Sequence, residues 1–102
     1  MSEHPVRFQP EAVKEAEKTQ SWYAQRNAVA ARGFVKEPSH AIDMVSAAPE
    51  RWPRFYAGTH RYVFPRYPFS IIYRVKDGSI EILAIAHHKK KPHYWTLRED
   101  FV

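Results

Sequence analysis

The chain has 102 residues, of which 44% are hydrophobic and 15% aromatic, so it has enough apolar material for a core and is not generally disordered. It contains no cysteine, which excludes disulfides, thiolate metal sites and cysteine nucleophiles. The formal net charge of +5 and the pI of about 9.6 favour a polyanionic partner, whether nucleic acid, an acidic protein or an anionic membrane, although many small domains carry such a charge for solubility alone.

The length suits one domain, which we expect to span residues 1–102. No apolar run approaches the roughly 20 residues needed to cross a bilayer. The segment Met1–Pro5 lacks the basic and apolar pattern of a signal peptide. We therefore expect a cytoplasmic protein that does not bind a membrane.

The first predicted elements are a short edge strand, Val6–Phe8, and a helix that runs from about Glu11 to Arg26. Pro10 suits the first position of this helix, because proline has no N–H to lose there. One helical face is shared by Val13, Ala16, Gln20 and Tyr23.

A second helix is predicted to follow Asn27, which suits the N-cap position. Its apolar stripe consists of Ala31, Phe34, Ala41, Ile42 and Val45. Pro38 lies inside this stretch and is expected to kink or break the helix, and Pro49 is expected to end it. The two helices would form an antiparallel hairpin with a very short connection.

The second half of the chain is typical of strands. Arg61–Phe64 alternates, and Phe69–Val75 and Ile80–Ala86 are rich in β-branched and aromatic residues around the turn signal Asp77–Gly78. Pro65 and Pro68 bracket the turn between the first two of these strands. Helices followed by strands predict an α+β fold, with the helical hairpin packed on one face of a small antiparallel sheet.

A two-residue turn at Asp77–Gly78 also predicts the register of the hairpin. It pairs Arg74 with Glu81, Tyr73 with Ile82, Ile71 with Ala84, and Phe69 with Ala86. The last three pairs would form an apolar face beneath the helices. The opposite face would carry Ser70, Ile72, Arg74, Glu81, Leu83, Ile85 and His87, and it becomes more polar toward His87.

The densest chemical feature is the run His87–Trp95, which mixes lysines, histidines and aromatic residues. Lysines neutralise phosphates and rings stack on unpaired bases, so the run suits RNA. Alternatively, it is a solvated charge run followed by two aromatic residues that close the core. The histidines could act in acid–base catalysis. A metal site is not predicted, because His87 and His88 would point to opposite faces of a strand.

A second basic group lies around the entry to the strands and consists of Arg51, Arg54, Arg61 and Arg66. Arginine can bind phosphate, but such a group is also typical of a solvated rim. For Trp52, Tyr56 and Trp95 we favour packing in the core or an interface over base stacking. Phosphate-binding glycine loops and serine elbows are absent, which argues against a nucleotide-binding enzyme.

Two segments together, Arg61–Val75 and Ile82–Trp95, resemble the C-terminal half of the RelE/ParE superfamily toxins, also called plasmid stabilisation proteins. In that family a Phe/Tyr-rich strand ends in Tyr-Arg-Val, and an apolar strand then ends in His and a basic run. The segment Pro49–Pro53 after a helical hairpin also resembles the family, and the similarity extends from about Val6 to Trp95. The resemblance implies a type II toxin–antitoxin module, a cognate antitoxin partner and no cofactor.

Two activities are known in this superfamily, and the residues that match them are mixed. RelE-like members cleave mRNA on the ribosome without metal, whereas ParE-like members poison DNA gyrase. Arg61 and Lys89 match basic positions of the RelE pattern, but Val63 and Ser70 fall where cations are expected. Near the usual C-terminal tyrosine of that pattern lie Tyr94 and Trp95.

We therefore predict a growth-inhibiting toxin and favour gyrase poisoning over ribosome-dependent mRNA cleavage, with an inert or nucleic-acid-binding relative as a third alternative. Whether the chain is an enzyme stays open. If it is a ribonuclease, the predicted catalytic residues are Arg61, His87, Lys89 and Tyr94. The residues predicted to bind the target or nucleic acid are Arg61, Arg66, His88, Lys89, Lys90, Lys91 and Trp95.

Overall fold

The computed structural model describes residues 4–91 and 93–98, which form two helices and a four-stranded sheet. The helices are α1 (Pro10–Arg26) and α2 (Ala28–Ala47), and the strands are β1 (Val6–Phe8), β2 (His60–Val63), β3 (Phe69–Lys76) and β4 (Ser79–His87). Two short 3₁₀ turns are formed by Tyr56–Gly58 and Tyr94–Leu97. The predicted α+β fold class is confirmed.

The strand order is β1-β4-β3-β2, so β1 and β2 are the edges. β3 is antiparallel to both of its neighbours, whereas β1 runs parallel to β4. The sheet is therefore mixed, whereas the sequence predicted an antiparallel sheet. The helical hairpin lies between β1 and the other strands in the chain, and it returns the chain so that β1 and β4 can pair in parallel.

Asn27 alone connects the two helices, as the sequence predicted. Its side-chain Oδ1 accepts a hydrogen bond from the backbone N–H of Ala30 at 3.0 Å, which caps α2. Its own backbone N–H donates to the carbonyl of Tyr23 at 2.7 Å, which closes α1. Pro10 occupies the start of α1, also as predicted.

The predicted break at Pro38 is wrong, because α2 continues through this residue from Ala28 to Ala47. Proline removes one backbone hydrogen bond from a helix interior, yet the residues on either side of it are held by packing. Phe34, Ala41 and Val45 are all buried in the core under the sheet. Tertiary burial thus outweighs the local preference of proline.

The predicted register is confirmed near the turn and fails beyond a β-bulge. Arg74 pairs with Glu81 and Tyr73 with Ile82, but the next pair is Ile72 with Ala84, which leaves Leu83 without a partner across the ladder. An extra residue in one strand changes the side of the sheet on which all later residues lie.

Beyond the bulge, four residues of β4 change place relative to the prediction. Ile71 pairs with Ile85 and Phe69 with His87, so Ile85 and His87 lie on the helix side. Ala84 and Ala86 lie on the opposite face. That face is not simply polar, since a second core cluster forms there beneath the C-terminal 3₁₀ turn from Ile72, Leu83, Ala84, Ala86 and Trp95.

The turn between β3 and β4 is formed by Asp77 and Gly78, with φ angles of 53° and 76°. Positive φ at both positions is what a type I′ turn requires, and the predicted two-residue turn is confirmed. Within residues 4–91 and 93–98, no helix has the length and apolar character needed to cross a membrane.

Candidate functional site

A cleft of about 170 Å³ opens on the sheet face opposite the helices, where β4 ends. We call it the basic cleft. It brings together seven of the nine predicted site residues, namely Arg61, His87, His88, Lys90, Lys91, Tyr94 and Trp95. The sheet positions Arg61 at one side through β2, and the turn after β4 carries the two lysines over the other side.

Two predicted residues do not line the basic cleft. Arg66 is exposed in the loop between β2 and β3, and the exposed Lys89 lies outside the lining of the cleft. The backbone N–H of Lys89 donates to Nδ1 of His87 at 2.9 Å, which fixes the first turn of the chain after β4.

His88 is an exposed residue in the lining of the cleft, and a buried serine holds its ring. Its Nε2 atom lies 2.9 Å from Oγ of Ser70, and the His88 backbone N–H donates to the Pro68 carbonyl at 2.9 Å. Ser70 is only 2% exposed. This serine falls where the ribonuclease pattern has a cation, and here it positions an imidazole instead.

Aromatic rings form one wall of the cleft. His93 stacks on Tyr56 with ring centroids 3.8 Å apart and meets Phe55 edge-on at 5.7 Å. The guanidinium of Arg61 lies 4.8 Å above the Phe55 ring. A cation held against an aromatic face is partly desolvated and fixed in place, which prepares it for an anionic ligand.

Tyr94 and Trp95 are both tied to the body of the protein. The Tyr94 hydroxyl donates to Oε2 of Glu15 on α1, and burial followed by this hydrogen bond raises the pKa of Tyr94 above its usual 10. Trp95 is only 3% exposed and packs against Phe55, so little of its ring is available to a nucleobase. Its indole N–H has no hydrogen-bond partner among the described residues.

His87 lies between two surfaces, since it lines the basic cleft and also a groove on the helix side. Burial, and then the nearby His88 and Lys89, lower its pKa below the ordinary 6.5. His87 is therefore neutral at pH 7. Because Nδ1 accepts the Lys89 N–H, the neutral ring carries its proton on Nε2.

This arrangement is suited to binding an anion beside a stacked ring. Arg61, Lys90 and Lys91 surround the cleft, and within the described part of the chain no acidic residue lines it. The proton of Tyr94 is engaged by a carboxylate, which makes this phenol a poor general acid. Among residues 4–91 and 93–98, no group of three or more histidines and carboxylates could hold a metal ion.

Sequence reasoning missed Glu15 and Arg98, which organise one side of the site. Glu15 accepts hydrogen bonds from the Ile85 N–H at 3.0 Å, from Tyr94 and from Arg98 Nη2 at 2.9 Å. In the sequence, Glu15 has only the pattern of an acidic residue near a helix start. These partners are at least 70 positions away, so no local signal could have revealed them.

The overall fold is shared with a solved structure. The fold is similar to a chain in a solved structure described as the chromosomal ParDE TA system from P. aeruginosa, with a TM-score of 0.73 and 19% identity over 82% of this chain and 95% of that one. At this identity the likeness shows the fold alone. None of the curated proteins matches the chain.

The family follows from the sequence itself. The family model for the ParE toxin of the type II toxin–antitoxin system, parDE, matches residues 6–92. The chain belongs to this ParE toxin family, and the resemblance predicted from the sequence is confirmed.

Proposed function

We propose that this chain is the growth-inhibiting toxin of a type II toxin–antitoxin module and that it acts by binding DNA gyrase, without cutting RNA. Membership of the ParE toxin family supports the first part. The resemblance to ParE-like toxins implies gyrase as the target. The hydrogen bond from Tyr94 to Glu15 carries the second part, since it occupies the proton that a ribonuclease would use as an acid.

A further observation supports binding over catalysis. Of the four residues predicted to be catalytic, Lys89 lies outside the basic cleft and His87 accepts a backbone N–H on Nδ1. A metal-free ribonuclease needs its base, acid and phosphate-binding groups positioned together. Arg61, Lys90 and Lys91 instead form a cationic surface that suits an acidic patch on a protein target.

The partner follows from the same family. A type II toxin–antitoxin system pairs the toxin with an antitoxin protein, and we propose that a cognate antitoxin neutralises this chain. The net charge of +5 favours an acidic antitoxin segment. Both proposed targets, gyrase and the ribosome, would place its action in the cytoplasm.

The first prediction is that purified chain inhibits gyrase supercoiling and leaves ribosome-bound mRNA intact. In the basic cleft, Lys91→Glu should weaken gyrase inhibition about 10-fold, because a reversed charge at a complementary surface costs on the order of 1.4 kcal/mol. The matched control is Lys36→Glu on the exposed surface of α2, which should inhibit like the wild type. Cleavage of mRNA at codon spacing, abolished by Arg61→Ala or Lys89→Ala, would contradict this proposal.

A RelE-like ribonuclease is the second candidate, because the basic cleft joins cations with the ring of His93, which stacks on Tyr56. The variant Tyr94→Phe separates the two functions, since it keeps the ring and removes the hydroxyl. A gyrase-binding toxin should keep its growth inhibition within about threefold, whereas a nuclease that uses this hydroxyl should lose about 100-fold or more.

The third alternative, an inert or nucleic-acid-binding relative, is tested by expression alone. We expect induction of the chain in a bacterium without an antitoxin to arrest growth. Unchanged growth, with the protein present in folded form, would favour the inert relative.

A further inference from the structure

One hydrogen bond in the basic cleft joins a buried hydroxyl to an exposed imidazole. Oγ of Ser70 lies 2.9 Å from Nε2 of His88. Ser70 is buried on β3, where it pairs with Val63 of β2 and with Ala86 of β4. His88 follows β4 and is exposed. Water therefore reaches the imidazole but scarcely reaches the serine.

The burial of Ser70 favours one direction for this hydrogen bond. A neutral imidazole carries a single proton, so Nε2 either accepts from the serine or donates to it. Within the described part of the chain, the Ser70 hydroxyl has no partner other than His88. If Nε2 donated, the hydroxyl proton would be buried without an acceptor, which is costly. Donation by the serine avoids this cost.

A serine that donates to Nε2 leaves the proton of the neutral ring on Nδ1. Among residues 4–91 and 93–98, no group hydrogen-bonds to Nδ1 of His88, so this nitrogen is left for water or a ligand. The preceding histidine has the opposite arrangement, because Nδ1 of His87 accepts the Lys89 N–H and its proton lies on Nε2. Adjacent histidines are thus held in different tautomers.

The tautomer of His88 determines what the basic cleft offers to a ligand. Arg61, Lys90 and Lys91 line the cleft as donors, and no acidic side chain lines it among the residues that the structure describes. An N–H at Nδ1 adds a neutral, directional donor to these charges. An unprotonated Nδ1 would instead turn a lone pair toward an incoming anion. A carboxylate, which accepts several hydrogen bonds at once, suits the first arrangement and is opposed by the second.

We propose that Ser70 is a positioning residue for target binding, which holds neutral His88 with its proton on Nδ1 so that this N–H donates to a carboxylate of the target. The inference rests on the proposed gyrase-binding function and adds the acceptor that one cleft residue recognises. His88 was predicted from the sequence to bind the target, whereas Ser70 was not. Its role depends on a partner 18 positions away.

The tautomer can be measured directly by long-range ¹H–¹⁵N correlation NMR of the ¹⁵N-labelled chain, at a pH of about 8.5, where an ordinary imidazole is neutral. In the wild type the proton of His88 should be found on Nδ1 and that of His87 on Nε2. Ser70→Ala should shift the His88 proton toward Nε2 and leave His87 unchanged. A wild-type His88 proton on Nε2, or a tautomer that Ser70→Ala does not alter, would overturn the inference.

The consequence for binding is measured as inhibition of gyrase supercoiling by variants whose folding is verified by circular dichroism. Ser70→Ala should weaken inhibition about fivefold, and Ser70→Cys, which keeps the size and a weaker donor, should lie between it and the wild type. Ser39→Ala at an exposed position of α2 is the matched control and should inhibit like the wild type. In a His88→Ala background, Ser70→Ala should cause no further loss, because the serine acts through the imidazole.

Two amide substitutions test which nitrogen of His88 is used. Asparagine carries its amide nitrogen on Cγ, as histidine carries Nδ1, whereas glutamine carries it one bond farther out, toward the place of Nε2. His88→Asn should therefore weaken inhibition only about threefold, and His88→Gln about 10-fold or more. Equal losses, or the reverse order, would show that Nδ1 is not the donor.

The two measurements separate this inference from the proposed function. Inhibition of gyrase that Ser70→Ala leaves unchanged would overturn the positioning role and leave gyrase as the target. Absence of inhibition by the wild type would overturn the gyrase proposal and, with it, the carboxylate assigned to His88. The NMR spectra decide the tautomer without gyrase.

Discussion

At the scale of single residues, His87 has an environment that favours its neutral form. The imidazole is partly buried, lies near His88 and Lys89, and uses Nδ1 to accept a backbone hydrogen bond. Protonation would place a hydrogen on Nδ1 and remove that acceptor. The pKa in the folded protein is therefore below the value of 6.5 that applies to the unfolded chain.

This lowered pKa predicts how stability depends on pH. The unfolded chain binds a proton at His87 more readily than the folded one, so this contribution is complete above pH 6.5 and is lost as the pH falls toward the folded pKa. In urea titrations, His87→Gln should reduce the loss of unfolding free energy on acidification. His40→Gln on α2 is the control, and an equal effect from both variants would contradict the assignment.

Gly33 illustrates a second effect of a single residue. A Cβ atom at this position in α2 would collide with the hydroxyl oxygen of Tyr67, while the next ring atom lies 3.6 Å away. The Tyr67 hydroxyl donates to the Ala30 carbonyl at 2.8 Å, so it cannot move without losing this bond. Glycine is thus favoured at this position, because a larger residue would have to displace Tyr67.

We predict that Gly33→Ala lowers the free energy of unfolding by about 1–2 kcal/mol, through displacement of Tyr67. In a Tyr67→Phe background the collision is absent, and the same substitution should stabilise the helix by up to about 1 kcal/mol. The four proteins form a double-mutant cycle that thermal or urea denaturation can measure. Additive effects would show that the hydroxyl contact is unimportant.

At the scale of elements, side chains complete the hydrogen bonding of β4 on the side that faces β1. β1 covers only Ile80–Ile82, and Gln9 extends the pairing with a backbone bond to the Ile82 carbonyl. Farther along, Arg98 donates to the Leu83 carbonyl and Glu15 accepts from the Ile85 N–H. Glu15 and Arg98 thus provide the hydrogen bonds that another strand would supply.

Glu15→Ala should therefore destabilise the fold by about 2–4 kcal/mol, because it removes the carboxylate that pairs with the partly buried Arg98 and leaves the Ile85 N–H without its acceptor. Glu11→Ala is a matched control in the same helix. Glu11 pairs with Lys14 at 3.5 Å on the exposed surface, so this variant should change stability by less than about 0.5 kcal/mol. Similar losses in both variants would contradict the role assigned to Glu15.

The elements whose signals are local could be predicted from the sequence. Three local signals determine the backbone conformation at their own positions, and the structure has each where it was predicted. They are Pro10, Asn27 and the Asp77–Gly78 turn. The bulge at Leu83 could not be predicted, because Ile82–Ala86 is continuously apolar and contains no alternation to fix the register.

The candidate site was predictable only in part, because only some of its residues are marked by a local signal in the sequence. The run after β4 identified most of its cations, but Phe55 in the aromatic wall and Tyr56, which stacks on His93, are distant from that run in sequence. Burial of Trp95 depends on the C-terminal turn folding back over the sheet, as does the contact of Tyr94 with Glu15. Such contacts are properties of the tertiary structure.

At the scale of the whole molecule, two concave surfaces lie on opposite faces of one thin sheet, namely the basic cleft and a mostly apolar groove between α1 and the ends of β3 and β4. A partner that binds only the folded chain stabilises it by mass action. We expect the antitoxin, present at 100 times its Kd, to raise the free energy of unfolding by about 2.7 kcal/mol. The midpoint of thermal unfolding should rise with antitoxin concentration, and an unchanged midpoint would contradict tight binding.

The unpaired Leu83 has a consequence for both faces at once. If Leu83 instead paired with Ile72 in a regular ladder, every later residue of β4 would change sides, so His87 would face the basic cleft and His88 would face the helices. Deletion of Leu83 would remove the bulge but keep Ile85 opposite Ile71 and His87 opposite Phe69. One inserted residue, which belongs to neither imidazole, therefore decides which of the two histidines lies on which side of the sheet.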